Sequence, residues 1–172
     1  MNNRILNYTS ELSKATDFIQ NDLAEYFTNV DYKEESREIK ITKIKNEEDL
    51  NKIIYGAGFY IILTNHPFQE NKCEFEFNNQ KAIYRGHSYF SKKRLLSHLA
   101  NSNYQNNKGS TNYTVCLKIE NGKNGININQ NPYKKWNWTI IVHKMKGSSK
   151  LMREQAEKAF DELYNKPCKS RD

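Results

Sequence analysis

Two short runs, Gly58-Phe59-Tyr60 and Tyr84-Arg85-Gly86, precede Arg94 and His98 in this chain. The chemistry these residue types can share is the handling of phosphate. A guanidinium grips two phosphate oxygens at once, where an ammonium acts as a point charge. A phenol hydrogen-bonds a phosphate or a water, and an imidazole changes charge near neutral pH. Arg94 and His98 are four residues apart, so on a helix they project from one face toward a common ligand.

The flanking sequence supplies elements to hold them. Phe59 to Leu63 is an unbroken apolar run of strand length, and Lys81 to Tyr84 closes a second strand that ends at Gly86. Ser91 to Leu99 reads as a helix with Ser91 as N-cap and Leu95, Leu96 and Leu99 as its buried stripe. Two strands thus present tyrosines beside a cation and an imidazole on the next helix.

These residues resemble the GIY-YIG endonucleases. In that family a Gly-Ile-Tyr strand and a Tyr-Ile-Gly strand form a hairpin, an arginine follows the second tyrosine by ten residues, and a histidine often lies four further on. Here Tyr84 to Arg94 is ten and Arg94 to His98 is four. Phe59 replaces the isoleucine of the first triplet and keeps its apolar character. Arg85 replaces that of the second, so either Arg85 faces solvent or DNA, or the second strand is an exposed edge. The insertion Thr64 to Lys81 is similar in length to that of the restriction-type members, and the resemblance spans residues 56 to 165.

The resemblance implies an α+β fold with a central antiparallel sheet flanked by helices, and an activity: metal-dependent hydrolysis of phosphodiester bonds in double-stranded DNA, as in a type II restriction enzyme. A repair or mobile-element nuclease of the same family and a catalytically inactive DNA-binding module stand as alternatives. Hydrolysis needs an attacking water, a group to take its proton, and neutralisation of charge at phosphorus. By resemblance Tyr60 is the general base, Tyr84 binds the phosphate or the water, Arg94 neutralises the phosphate and His98 polarises Tyr60 or touches a phosphate. A hard ion, Mg2+ or Mn2+, would be held by a glutamate of the last helix. That position is assigned to Glu157, with Glu154 as rival, because Glu157 borders the apolar face of the helix and Glu154 lies nearly opposite it. Arg85, His87, Lys92, Lys93, Asn106, Asn107, Lys108, Lys123 and Asn124 are candidate DNA contacts. Base readout would come from the polar stretches Asn65 to Lys72, Asn103 to Asn112 and Asn121 to Lys135.

Composition agrees with a polyanionic partner. The 172 residues carry 27 Lys and Arg against 20 Asp and Glu, a formal charge of +7. Three scattered cysteines, Cys73, Cys116 and Cys168, give neither zinc-ligand spacing nor an even disulfide set. No apolar run has membrane-span length and Met1 to Asn7 lacks a signal-peptide pattern, so the expectation is a cytoplasmic protein with no membrane partner.

Length suits one domain, 1–172, with an N-terminal extension over 1–55 and the nuclease-like core over 56–165. Thr9 to Phe27 has helical spacing of Leu12, Ala15, Phe18, Ile19, Leu23 and Phe27, a face expected to pack on the body or on a second subunit. Arg37 to Ile44 alternates as a strand, and Glu47 to Tyr55 reads as a helix capped by Asn46. Cys73 to Phe77 pairs as a hairpin with Lys81 to Arg85; Tyr113 to Ile119 and Trp136 to Met145 are further strands. The last helix covers Ser149 to Tyr164, with Met152, Ala156, Ala159, Phe160 and Leu163 on its apolar face. One active site per chain and two strands to cut favour a homodimer.

Overall fold

The structure, a computed structural model, describes residues 1–33, 36–100, 117, 119 and 126–170. Its elements in chain order are helix α1 (Asn2–Asn29), strand β1 (Ile39–Ile44), the single helical turn α2 (Glu47–Leu50) and strands β2 (Gly58–Thr64), β3 (Glu76–Phe77) and β4 (Gln80–Ser88). Helix α3 (Ser91–Leu99), a 3₁₀ turn (Tyr133–Lys135), strand β5 (Trp138–Lys144) and helix α4 (Lys150–Tyr164) complete them. The five strands form one sheet in the order β1-β5-β2-β4-β3, every pair antiparallel. The fold is α+β, as expected, and β1 of the N-terminal extension is an edge strand of the same sheet.

Strand β2 is central, and all seven of its residues are buried. Its unbroken apolar run follows from that position, because helices cover both faces of the sheet. On one face Tyr60 and Ile62 join Leu50, Ile53, Leu95, Leu99, Trp138, Ile140 and Val142. On the other, Phe59, Ile61 and Leu63 pack on Phe27 of α1 and on Ala156, Ala159 and Phe160 of α4. Each layer removes several large side chains from water, at about 1.5–3 kcal/mol apiece.

Several elements differ from the sequence reading. Residues 73–75 are not strand: Cys73 and Phe75 are buried in the core beneath α4, the Glu74 N–H donates to the Tyr164 carbonyl, and beyond the paired Glu76 and Phe77 only the Phe75 carbonyl reaches β4, accepting from the Ala82 N–H. The helix expected to reach Tyr55 ends at Leu50. Asn46 caps it as expected, accepting from the Asp49 N–H, but the Asp49 carboxylate turns back to the Lys45 N–H and the following carbonyls form tight turns. Ser91 is the first helical residue of α3 rather than its cap, which is Phe90. Met152, expected on the buried face of α4, is 39% exposed.

Helix α1 departs furthest. At 28 residues it spans about 42 Å, against about 22 Å for α4, on which it lies. It therefore overhangs: Leu12 and Phe18, expected in the packed face, are 54% and 72% exposed, and only Phe27 is fully buried.

A candidate phosphate-handling site

Antiparallel pairing sets Tyr60 of β2 opposite Gly86 of β4 and Ile62 opposite Tyr84, while Leu63 pairs with Ala82. Ile83 is thus one extra residue in β4, a bulge. In a regular strand Tyr84 would share the face of Ala82, beneath α4. The bulge reverses the alternation, so Ile83 and Tyr84 both join the core on the Tyr60 face while Ala82 stays on the other. The Tyr60 and Tyr84 rings lie nearly parallel at 15°, centroids 6.3 Å apart, and the His98 ring is 4.5 Å from Tyr84 and 5.9 Å from Tyr60. Two strands and α3 have brought together three of the side chains read from the sequence.

Arg94 is the fourth. It is half-buried on α3 and hydrogen-bonds the Tyr60 hydroxyl. The His98 Nε2 lies 3.0 Å from the same oxygen, and the Leu117 N–H donates to the His98 Nδ1 at 3.2 Å. An Nδ1 that accepts carries no proton, so the imidazole proton sits on Nε2 and His98 donates to Tyr60. Tyr60 Oη therefore receives two donors and keeps its own proton to give. Burial, then the nearby Arg94 charge, holds His98 well below the usual imidazole range, so it is neutral. Burial pushes the Tyr60 phenol well above its ordinary value; Tyr84 adds to the rise and Arg94 opposes it. Tyr60, Tyr84 and His98 are 1%, 5% and 0% exposed, so a ligand arriving from solvent meets Arg94 first.

The two glycines of the triplets have a steric role. A Cβ on Gly86 would lie 2.7 Å from Tyr60 Oη, and one on Gly58 would lie 2.7 Å from the His143 carbonyl oxygen. Both positions demand close approach.

Arg85 corrects an expectation. It faces neither solvent nor an exposed edge: it is 6% exposed on the α4 side of the sheet. Its Nε and Nη2 bind Asp161 Oδ1 and Oδ2 at 3.0 and 2.6 Å, and its Nη1 lies 3.2 Å from Glu157 Oε2. The bulge is the cause, since turning Tyr84 toward Tyr60 turns Arg85 toward α4. A buried guanidinium needs such partners. Spacing alone held the signal: Glu157 and Asp161 are four apart, one turn of helix beneath a strand arginine.

Glu157 is paired with that arginine, and the His87 backbone N–H also donates to it. Burial raises its pKa to about 7; Arg85 opposes the rise, and Asp161 and Glu154 add to it. Its rival Glu154 pairs with Lys150 on the surface at 3.3 Å. Among the described residues no group of three or more His, Cys, Asp or Glu side chains gathers as a metal cage would. A half-buried carboxyl with acidic neighbours is the donor type a hard cation takes, but Glu157 lies on the α4 side of the sheet, across from Tyr60, Tyr84 and His98, with its charge paired to Arg85.

The remaining candidates are dispersed. His87 is half-buried, its Nδ1 has no partner among the described residues, and burial followed by the Arg153 charge lowers its pKa to about 4. Lys92 is buried and donates to the Asn51 carbonyl while lying over the Tyr55 ring. Lys93 is exposed above Phe90. Asn106, Asn107, Lys108, Lys123 and Asn124 lie outside the described residues, as do Asn103 to Asn112 and most of the strand expected over 113–119. Asn65 to Lys72 is pinned rather than free: Asn71 bonds the Ala82 carbonyl and the Cys73 and Cys168 N–H groups, and His66 stacks on Trp136 at 3.8 Å.

Comparison of the chain with protein-family models, with curated proteins and with solved structures found no match. No helix among the described residues is long and apolar enough to cross a membrane.

Proposed function

We propose that the chain is a magnesium- or manganese-dependent DNA endonuclease of the GIY-YIG type, acting on double-stranded DNA as a cytoplasmic homodimer, most simply a type II restriction enzyme. One observation carries the reading: Tyr60, Tyr84 and His98 cluster their rings on one face of the sheet, with Arg94 and His98 both on the Tyr60 hydroxyl. In this reading Arg94 binds the scissile phosphate and neutralises charge as it develops. His98 is a positioning residue, because its donated proton fixes the phenol and leaves it no basic nitrogen toward the site. Tyr60 and Tyr84 hydrogen-bond the phosphate or the attacking water. Tyr60 takes the water's proton only after losing its own, and its raised pKa keeps the phenolate fraction small near neutral pH. Glu157 is the carboxylate proposed to hold the divalent ion, which would supply Lewis acidity at phosphorus and stabilise the leaving oxygen; it stands across the sheet from Tyr60 and would have to leave Arg85 to do so.

A second reading, a DNA-binding module without catalysis, is favoured by the near-complete closure of Tyr60 and His98 from solvent. Incubating the protein with plasmid DNA and magnesium, beside Arg94→Ala, separates the two. Discrete fragments from the wild type alone support a site-specific nuclease. A smear indicates weak specificity, and intact DNA in both samples overturns the enzyme.

A further inference from the structure

The overhanging half of α1 carries an apolar seam that nothing among the described residues covers. Ile5, Tyr8, Leu12, Ala15 and Ile19 recur at alternating intervals of three and four residues, the a and d spacing by which two helices pair side by side. Ile5 is 53% exposed, Tyr8 66% and Leu12 54%, whereas Leu23, Ala24, Tyr26 and Phe27, further along, pack into the core beneath α1. One stripe thus begins in water and ends in the body. A lone helix of a dozen residues is marginal in water, so the free turns need a partner to order them.

Charge indicates which partner. Arg4, Glu11, Lys14 and Asp17 are the ionisable side chains of α1 up to Asp17 other than Tyr8, two of each sign. This is no phosphate-binding face, which requires net positive charge. It is self-complementary: Arg4 and Glu11 each stand one position before a seam residue, Ile5 and Leu12, on the same flank. A parallel pair of helices would set this flank against the partner's other flank, where Thr9 and Thr16 stand, and would leave Arg4 and Glu11 without opposite charges. An antiparallel pair with Ile5 against Tyr8 sets Arg4 beside Glu11 twice, once on each side of a two-fold axis. Antiparallel pairing also places the two bodies at opposite ends, where neither obstructs the seam. The present partner of Glu11 is Lys14 at 2.8 Å, both largely exposed; such a surface pair contributes little and yields readily.

We propose that the first three turns of α1 form an antiparallel two-fold interface with the same turns of a second copy of this chain. The seam is short, so the dimer is expected to dissociate in about the micromolar range. It does not rest on the nuclease reading and is measured without DNA.

The test is sedimentation velocity of the full chain over a concentration series, with circular dichroism to verify folding. The wild type should pass from monomer to dimer as concentration rises. Leu12→Glu, which alters an exposed position, should keep the helical signal and weaken association at least about tenfold. Arg4→Glu should weaken it less, and Arg4→Glu combined with Glu11→Arg should recover it. A wild type monomeric to about 1 mM, or a dimer indifferent to Leu12→Glu, overturns the interface. A double charge reversal that fails to recover overturns the antiparallel register. A monomer that cuts DNA would sink this proposal and leave the nuclease intact; a dimer of this kind that cuts nothing would do the reverse.

Discussion

The Cα of Gly86 lies directly against the hydroxyl of Tyr60, so close that a methyl group there would sit 2.7 Å from Oη and 2.8 Å from Cζ. The pairing of Tyr60 with Gly86 across β2 and β4 fixes that contact. Gly86→Ala should therefore force the phenol off His98 or push the strands apart, at about 1–3 kcal/mol for overpacking. Chemical denaturation measures the loss. A Gly86→Ala protein as stable as wild type, with an unshifted His98 ring signal by NMR, would contradict the contact.

Tyr60→Phe deletes the acceptor of the His98 Nε2 proton and of Arg94 while keeping the ring. A buried donor left unsatisfied costs about 1–3 kcal/mol, so a modest fall in stability is expected with the fold retained. In the endonuclease reading, single-turnover cleavage falls by about two to four decades, the range of a positioned acid or base. Cleavage within a few-fold of wild type would remove Tyr60 from the chemistry and leave it a structural phenol.

Arg94 is half-buried and meets the phenol from α3, so Arg94→Ala should leave folding and much of the DNA affinity intact. Loss of charge neutralisation at phosphorus is expected to cost two or more decades in rate, about 2.7 kcal/mol or more. Normal cutting by a folded Arg94→Ala protein would sink the assignment.

Glu157 and Glu154 separate cleanly, since one is paired with a buried arginine and the other with a surface lysine. Glu157→Gln should lower cleavage sharply, with little rescue by added magnesium, while Glu154→Gln should cut normally. Arg85→Met leaves Glu157 and Asp161 facing each other unpaired, and breaking such a buried pair costs about 3–5 kcal/mol. If Glu154→Gln alone is inactive, the metal-ligand assignment moves one turn of helix.

Acid should destabilise the fold from just below neutrality. Burial holds His143 at about 3, and burial with Arg153 holds His87 at about 4; His98 is also held well below its ordinary value. The unfolded chain protonates these imidazoles below about pH 6.5, whereas the folded chain does not. Their contribution is thus present above pH 6.5 and lost as pH falls. Glu157, raised to about 7, acts oppositely: between about pH 4.5 and 7 the folded state holds the extra proton. Near pH 5 the unfolded state is left with a net excess of about two protons, each worth about 1.4 kcal/mol per pH unit. Urea melts at pH 7, 6 and 5 read the slope. His143→Phe should flatten it by one proton, although it frees the Tyr26 and Tyr32 hydroxyls that His143 bridges at 3.0 and 3.3 Å. A pH-independent stability in that range would refute the buried neutral imidazoles.

Local rules were enough for the elements that carry the site. The apolar run of β2, the Ser91–Leu99 helix and the last helix ending at Tyr164 follow from periodicity, although Phe90 rather than Ser91 caps the first helix and Ser149 caps the last instead of opening it. So does the shared face of Arg94 and His98, because four residues is one turn. The ends of α1 and the second helix were illegible, since overhang and early termination depend on what lies beneath a helix rather than on its own pattern. Tyr84 and Arg85 mark the limit most clearly. Alternation along β4 predicts a face for each, but the extra residue at Ile83 is set by pairing with β2, and that pairing turned the tyrosine toward Tyr60 and the arginine onto Asp161 and Glu157. A strand's phase is a property of its neighbour, so the sequence by itself determined which side chains were present and on which elements, and only the tertiary structure decided which of them meet.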